Sequence, residues 1–304
     1  MNKVKTYTVA GHTFCFELEE SDLIWKRLAH SFSPFEEVKE CKHPLFTLTV
    51  CEQLEDRECA EPLFINPDLN PPGGRINVYQ TREGCLFEMF PYAKEVDQSF
   101  LLIADNGKSN KLLLQGNELE RSTTANTALM LCYLLNTIRM GTLLIHASAI
   151  LKDGACYLFL GRSGTGKSTH SKLWIEHIQD AELLNDDHPI IRILPDGEVQ
   201  TYGSPWSGKT ACYRNIHAPL GGVVRIKQAP HNKIEQLSPI KSYASLTTSC
   251  CWGFNWDKDL MSEKDRTLQE IIKKIPCYTL ECLPNKEAAI LCVENVLKSE
   301  TCNR

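Results

Sequence analysis

Residues Gly161-Arg162-Ser163-Gly164-Thr165-Gly166-Lys167-Ser168 match the pattern G-x-x-x-x-G-K-[ST]. Glycines at these places let backbone N–H groups turn inward and cradle phosphate oxygens, and a helix starting at the end of the loop adds its partial positive charge. Lys167 is then placed to reach the β- and γ-phosphates of a nucleotide, and the Ser168 hydroxyl to bind Mg²⁺. Thr169 completes the expected nucleotide-binding set. Downstream, Leu183-Leu184-Asn185 lead into the adjacent carboxylates Asp186 and Asp187. In phosphoryl transfer one carboxylate can ligate Mg²⁺ while the other accepts a proton from an attacking hydroxyl. Without a phosphate loop upstream, an Asp-Asp pair close to Pro189 would equally suit a turn. The expected cofactors are ATP and Mg²⁺.

Two further features bear on this chemistry. His146 stands in Leu144-Ile145-His146-Ala147-Ser148, an apolar strand pattern. A lone His there is commonly a core residue, but imidazole is also the side chain best suited to move protons near a phosphate. Gly203-Ser204-Pro205-Trp206-Ser207-Gly208-Lys209-Thr210 repeats the loop pattern in the wrong context. Pro205 removes a donor, Trp206 is bulky, and the continuation is a poor helix. A loop that approaches the first site, or a surface turn, is the expectation there.

Strands and helices must bring these residues together. Apolar strands are expected at 142–151 and 155–160 around a Lys152-Asp153-Gly154 turn, a helix at 167–178, and a short buried strand at 182–184. That strand is expected beside the strand that feeds the glycine loop, so that carboxylates and phosphates meet at one sheet edge. Further strands are expected at 190–194, 221–226 and 277–281, and helices at 262–274 and 285–298. This order implies an α/β domain over residues 123–304, opened by a helix at Thr123–Met140 with Gly141 as its C′ residue. Residues 1–122 read as a smaller β-rich domain. It has strand–turn–strand at 7–16, a strand at 45–50, and hairpins at 75–90 and 99–114, the last with an Asn106-Gly107 turn signal. Asn66 to Gly74 is a Pro- and Gly-rich loop.

The composition is that of a globular protein: 304 residues, 42% hydrophobic and 23% charged, with a net charge of −5. A mildly acidic chain without a basic run argues against a nucleic-acid partner. The most apolar stretch, Ala128–Leu135, is far short of the roughly 20 residues that a membrane span needs. No apolar leader follows Met1, and a cytoplasmic location is expected. The 14 cysteines show no C-x-x-C spacing, and many lie in apolar patterns, so they are expected to be reduced and structural.

In order and spacing, His146, the glycine loop, one helix and Asp186-Asp187 resemble the catalytic domain of HPr kinase/phosphorylase. That bacterial serine kinase is related to ATP-dependent phosphoenolpyruvate carboxykinase. In that family the His stands fifteen residues before the first loop glycine, as His146 does before Gly161. The resemblance covers about residues 141–300. It implies a mixed sheet with flanking helices and a frequent homo-oligomer. It also implies that His146 assists proton transfer, that Asp187 or Asp186 is the general base on a serine hydroxyl, and that the other Asp assists with Mg²⁺. The Gly203–Gly208 loop and Pro219-Leu220-Gly221-Gly222 look like HPr-kinase-like paralogues, including those that modify peptide natural products. On that footing Ser204 and Arg214 become candidate contacts for phosphate or substrate.

Two departures stand out. Thr169 follows Ser168 where the bifunctional enzyme has an acidic residue, and no phosphorylase signature follows Asp187. The expected function is a kinase acting on a serine-type hydroxyl of a protein, peptide or small molecule. A carboxykinase-type lyase and a non-catalytic nucleotide-binding regulatory module are the alternatives. No [NT]-K-x-D guanine signature follows the loop, since Asn232-Lys233-Ile234-Glu235 ends in Glu.

Overall fold

The computed structural model describes residues 2–39, 41–54, 61–66, 74–90, 98–104, 107–208, 210–252 and 254–301. They form a mixed α/β fold of two units, each built on a mixed sheet with flanking helices. Among the described residues no helix is long and apolar enough to cross a membrane.

The first unit comprises Met1–Thr137 with Phe254–Lys258. Its elements are β1 (Asn2–Val9), β2 (His12–Glu19), α1 (Ile24–Phe32), β3 (Thr47–Cys51), β4 (Glu61–Phe64), β5 (Arg75–Gln80), β6 (Gly84–Phe90), β7 (Ser99–Ala104), β8 (Ser109–Leu113) and α2 (Glu118–Thr137). The eight strands run in the order β1-β2-β3-β8-β7-β6-β5-β4. The expected hairpins are present as the antiparallel pairs β5–β6 and β7–β8. Asp105 and Asn106 of the expected turn, and most of the Asn66–Gly74 loop, lie outside the described residues. Tyr7, Phe14, Phe32 and Phe46 pack ring on ring in the core.

The helix expected to open the second domain belongs with this first unit. Its Tyr133 is fully buried, lies edge-on to His12 and Phe14, and donates its hydroxyl to the Val9 carbonyl at 3.1 Å. An aromatic anchored this way on β1–β2 holds the helix to that sheet. The division therefore falls after Thr137 rather than near 122.

The second unit holds β9 (Thr142–Leu144), β10 (Ala147–Lys152), β11 (Ala155–Leu160), α3 (Lys167–His177), β12 (Glu182–Asp187), β13 (Ile190–Ile193), β14 (Val199–Tyr202), β15 (His217–Gln228), β16 (Lys233–Gln236), α4 (Pro239–Thr247), α5 (Lys258–Lys274), β17 (Cys277–Cys282) and α6 (Lys286–Thr301). The strand order is β12-β10-β11-β15-β14-β13-β9, with β17 pairing both β15 and β16. Every residue of β11 is buried, as its unbroken apolar run requires of a strand covered on both faces. Trp174 of α3 and Ala288, Cys292 and Val296 of α6 pack with Tyr157, Phe159, Val224 and Leu280 into one apolar core.

Two expectations about this sheet change. The carboxylate strand β12 does not adjoin β11, because β10 lies between them, antiparallel to both. With β10 reversed, β11 and β12 still run in the same direction, so their C-terminal ends share one sheet edge. The single strand expected at 142–151 is broken at Ile145-His146. β9 pairs β13, whereas β10 pairs β11 and β12. His146 thus sits in the crossing between two strand neighbourhoods rather than within a strand.

Candidate functional site

Register brings the expected residues to one place. Ala147 at the start of β10 is paired across to Leu160 on one side and to Asp187 on the other. One line across the sheet therefore passes from Asp187 through the residue after His146 to the residue before Gly161. Arg225 of β15 is the partner of Leu160 on the far side, which extends the line.

The loop between β11 and α3 uses its glycines for backbone shape. Gly164 and Gly166 have φ of +80° and +100°, the left-handed region that side chains disfavour. The turn is closed by Thr165, whose N–H and hydroxyl both donate to the Arg162 carbonyl, at 3.1 and 2.8 Å. Helix α3 begins immediately after, with the His170 N–H bonding the Gly166 carbonyl at 2.8 Å. Arg162, Ser163, Ser168 and Thr169 are exposed at the loop.

Lys167 is largely buried and folds back over the loop. Its ammonium donates to the Gly161 carbonyl at 3.0 Å and lies 3.0 Å from His146 Nε2. Burial lowers the pKa of this amine, Asp187 and Asp186 raise it, and Arg225 lowers it; the net shift is downward. Ser168 donates to Asp186 Oδ1 at 2.9 Å. Asp187 lies between two imidazoles, with His146 Nε2 3.3 Å from Oδ1 and His188 Nδ1 3.2 Å from Oδ2. Burial pushes the Asp187 carboxyl up, but the hydrogen bonds and charges of the two histidines outweigh it and hold it well below the ordinary carboxylate range.

His146 Nε2 faces both Lys167 and Asp187. In the Nδ1–H tautomer it accepts from Lys167; with a proton on Nε2 it donates to Asp187. The two contacts therefore alternate at a single atom.

The loop at 203–208 runs along the end of β12. The Gly208 N–H donates to the Asp186 carbonyl at 2.8 Å, and Ser207 bridges Asp187. Lys209 lies outside the described residues. Ser204 is wholly buried, and its hydroxyl donates to the His188 carbonyl at 2.6 Å and meets the Asn185 amide at 3.3 Å. It braces the carboxylate strand. Arg214 bonds the Leu183 carbonyl at 2.7 Å and Glu182 at 2.9 Å, at the opposite end of β12 from the carboxylates. Neither residue joins the cluster.

Three residues join it without having been expected. Asn185 is fully buried, and its Oδ1 accepts from the N–H groups of Asp187 at 3.1 Å and His188 at 2.9 Å. Its amide reaches back to Ser204 and the Trp206 carbonyl. It shapes the turn that presents Asp187 and His188. His188 directly follows the acid pair, and that adjacency was its only signal. Arg225 interrupts an otherwise apolar strand, Val223-Val224-Arg225-Ile226, and a charge in that setting is the signal that could have found it. Ser245, Thr248 and Ser249 hold its guanidinium.

Two cavities flank the loop. One, of about 730 Å³, lies on the Thr165, Gly166 and Thr169 side and is walled by Leu173, Ile226, Leu283 and Pro284. The other, of about 600 Å³, lies on the Gly161–Ser163 side and is reached by His146 and Arg225.

Among the described residues no group of three or more His, Cys, Asp and Glu side chains converges on a metal-ion position. Ser168 and Asp186 alone make a two-donor set, which suits a cation that arrives with other oxygen ligands. The twelve described cysteines are free, and burial pushes the Cys156 thiol up to about 12.

No family model matches the chain, and no curated protein matches it in sequence.

Proposed function

We propose that the chain is an ATP- and Mg²⁺-dependent phosphotransferase acting on a serine-type hydroxyl. The observation that carries this reading is the joining of Ser168 Oγ to Asp186 Oδ1 at 2.9 Å, with Lys167, His146 and Asp187 in a line beside it. A glycine loop leading into a helix, a lysine, a hydroxyl–carboxylate pair for a cation and a separate carboxylate for the acceptor are the parts that phosphoryl transfer needs. In this reading Gly161–Ser168 act as a phosphate loop, and the apolar cavity at Leu173 and Pro284 takes the nucleotide base.

Magnesium, when bound, neutralises charge on the β- and γ-phosphate oxygens. Ser168 and Asp186 would hold it, and two protein donors fit an ion that keeps water and phosphate oxygens as its remaining ligands. Lys167 lays its charge along the phosphates. The acceptor hydroxyl oxygen forms its bond to the γ-phosphorus as the bond to the bridging oxygen breaks, and the electron pair leaves with ADP. Asp187 is ionised at neutral pH and accepts the hydroxyl proton. Its low basicity suits a loose transition state, in which the proton leaves late. The imidazoles at 3.2 and 3.3 Å are the next stop for that proton.

The test is incubation of the protein with γ-labelled ATP and Mg²⁺, with fractions of host-cell extract, beside Lys167→Ala. Label that moves to an extract component and is lost in the variant supports the reading. Nucleotide bound but never turned over by any fraction supports a regulatory module instead. Nucleotide-dependent decarboxylation of oxaloacetate supports a carboxykinase-type lyase.

A further inference from the structure

The cavity beyond Gly161–Ser163 has a one-signed lining. Arg162, Arg225, Lys227, Lys241 and His146 contribute to its wall, and no Asp or Glu does. Among the described residues none of the four Arg and Lys side chains has a carboxylate within 4 Å. Of the acids nearby, Asp187 lies 3.3 Å from His146, Glu235 pairs with Lys233 at 2.5 Å, and Glu281, the cross-strand partner of Lys227, meets His231 at 3.3 Å. Glu235 reaches Lys227 and Lys241 only as a distant charge. Arg225 is half-buried and held in place by hydroxyls, which orient its guanidinium without neutralising it. Four cations gathered around one concavity repel one another, and an anion relieves that cost.

Position then says which anion. On the phosphotransferase reading, on which this inference rests, the base lies in the apolar cavity at the Thr165–Thr169 side. The phosphates cross the loop toward Lys167. The cationic cavity opens at the far end, beside His146, where the acceptor hydroxyl has to stand. At about 600 Å³ it has room for much more than a transferring phosphoryl group.

We propose that this cavity binds an anionic group of the acceptor, so that the substrate is a hydroxyl compound that also carries a carboxylate or a phosphate. Arg225 and Arg162 grip the anion near the loop, while Lys227 and Lys241 line the outer wall. This places the hydroxyl within reach of Asp187 by holding the other end of the same molecule.

The experiment first measures binding of a non-hydrolysable ATP analogue with Mg²⁺, which fills the phosphate loop. The loaded protein is then titrated calorimetrically with inorganic phosphate and, separately, with malonate. The same is done for the Lys227→Gln/Lys241→Gln double variant, whose two positions are exposed and lie outside the catalytic set. The expected result is saturable binding of at least one anion, weakened tenfold or more in the variant, with analogue affinity changed less than twofold. Phosphate binding alone indicates a phosphate-bearing acceptor, and malonate binding alone a carboxylate-bearing one. No saturable anion binding, or equal binding by wild type and variant, overturns the inference. So does a parallel loss of analogue affinity, because the cations would then serve the nucleotide. If the analogue itself does not bind, the phosphotransferase reading fails at the first titration and takes the acceptor assignment with it.

Discussion

At the scale of single residues, the two adjacent aspartates are not equivalent. Asp186 is joined to the Ser168 hydroxyl, whereas Asp187 is bracketed by His146 and His188. The functional reading therefore assigns them separable losses. Asp187→Asn keeps the shape but removes the proton acceptor, and transfer should fall by about 10²–10⁴-fold, the usual worth of a general base. Affinity for the ATP analogue should stay within a few-fold, and a variant that still transfers at the wild-type rate would remove Asp187 from the mechanism. Asp186→Asn should instead raise the Mg²⁺ concentration needed for half-maximal rate, as read from a magnesium titration at saturating ATP. The motif made both carboxylates legible, but their division of labour was not, because it depends on which neighbour each side chain meets across the sheet. Ser204 and Arg214 show the converse. Their types suited phosphate, yet one is buried as a brace and the other is spent on Glu182.

Secondary-structure elements explain why some of the site could be read from sequence and some could not. The unbroken apolar run of β11, the glycine loop and the helix after it form one continuous segment, and local pattern suffices for such a segment. The insertion of β10 between β11 and β12 is a long-range pairing that no local period encodes. Nor does the apolar pattern around His146 distinguish one strand from two short ones that part company. Helix α4 was not expected, its nine residues being short and only partly apolar.

The 203–208 loop gives this scale its own prediction. A Cβ on Gly208 would stand 2.8 Å from the Asp186 carbonyl oxygen and 3.2 Å from Asp187 Cβ. A backbone oxygen does not yield cheaply at that distance, so Gly208→Ala should push β12's end out of place. The expected result is a transfer rate reduced tenfold or more with a thermal midpoint lowered by only a few degrees. An unchanged rate would show that the loop does not fix the carboxylates.

Across the whole molecule, both the boundary and the acid response follow from burial. α2 is buried around much of its circumference, Thr124, Ala125, Leu129, Leu131 and Cys132 among its buried residues, so its sequence pattern did not say which sheet it would cover. Tyr133 decides the matter by reaching Val9. In the second unit His170 is almost wholly buried between Phe159 and Trp174, whose indole N–H donates to its Nε2 at 3.2 Å. Burial lowers its pKa from 6.5 to about 4. The unfolded chain therefore takes up a proton near pH 6.5 that the native protein refuses. Stability should be full above that pH and should fall as pH drops toward 4, by about 3 kcal/mol at the limit. Denaturant unfolding at stepped pH should show this slope, and His170→Phe should flatten it. A slope unchanged by the substitution would assign the acid response to other groups.

The return of Phe254–Lys258 to the first unit has a practical meaning for dissecting the protein. Trp256 sets its ring 5.9 Å from Phe87 and 6.1 Å from Phe64, although the chain before residue 254 and after residue 258 builds the other unit. No single cut of the polypeptide yields two complete halves. A fragment ending at Thr137 lacks an aromatic side chain of its own packing, and the complementary fragment carries a tryptophan separated from Phe64 and Phe87. Fragment complementation, rather than simple truncation, is the route by which the two units can be studied apart.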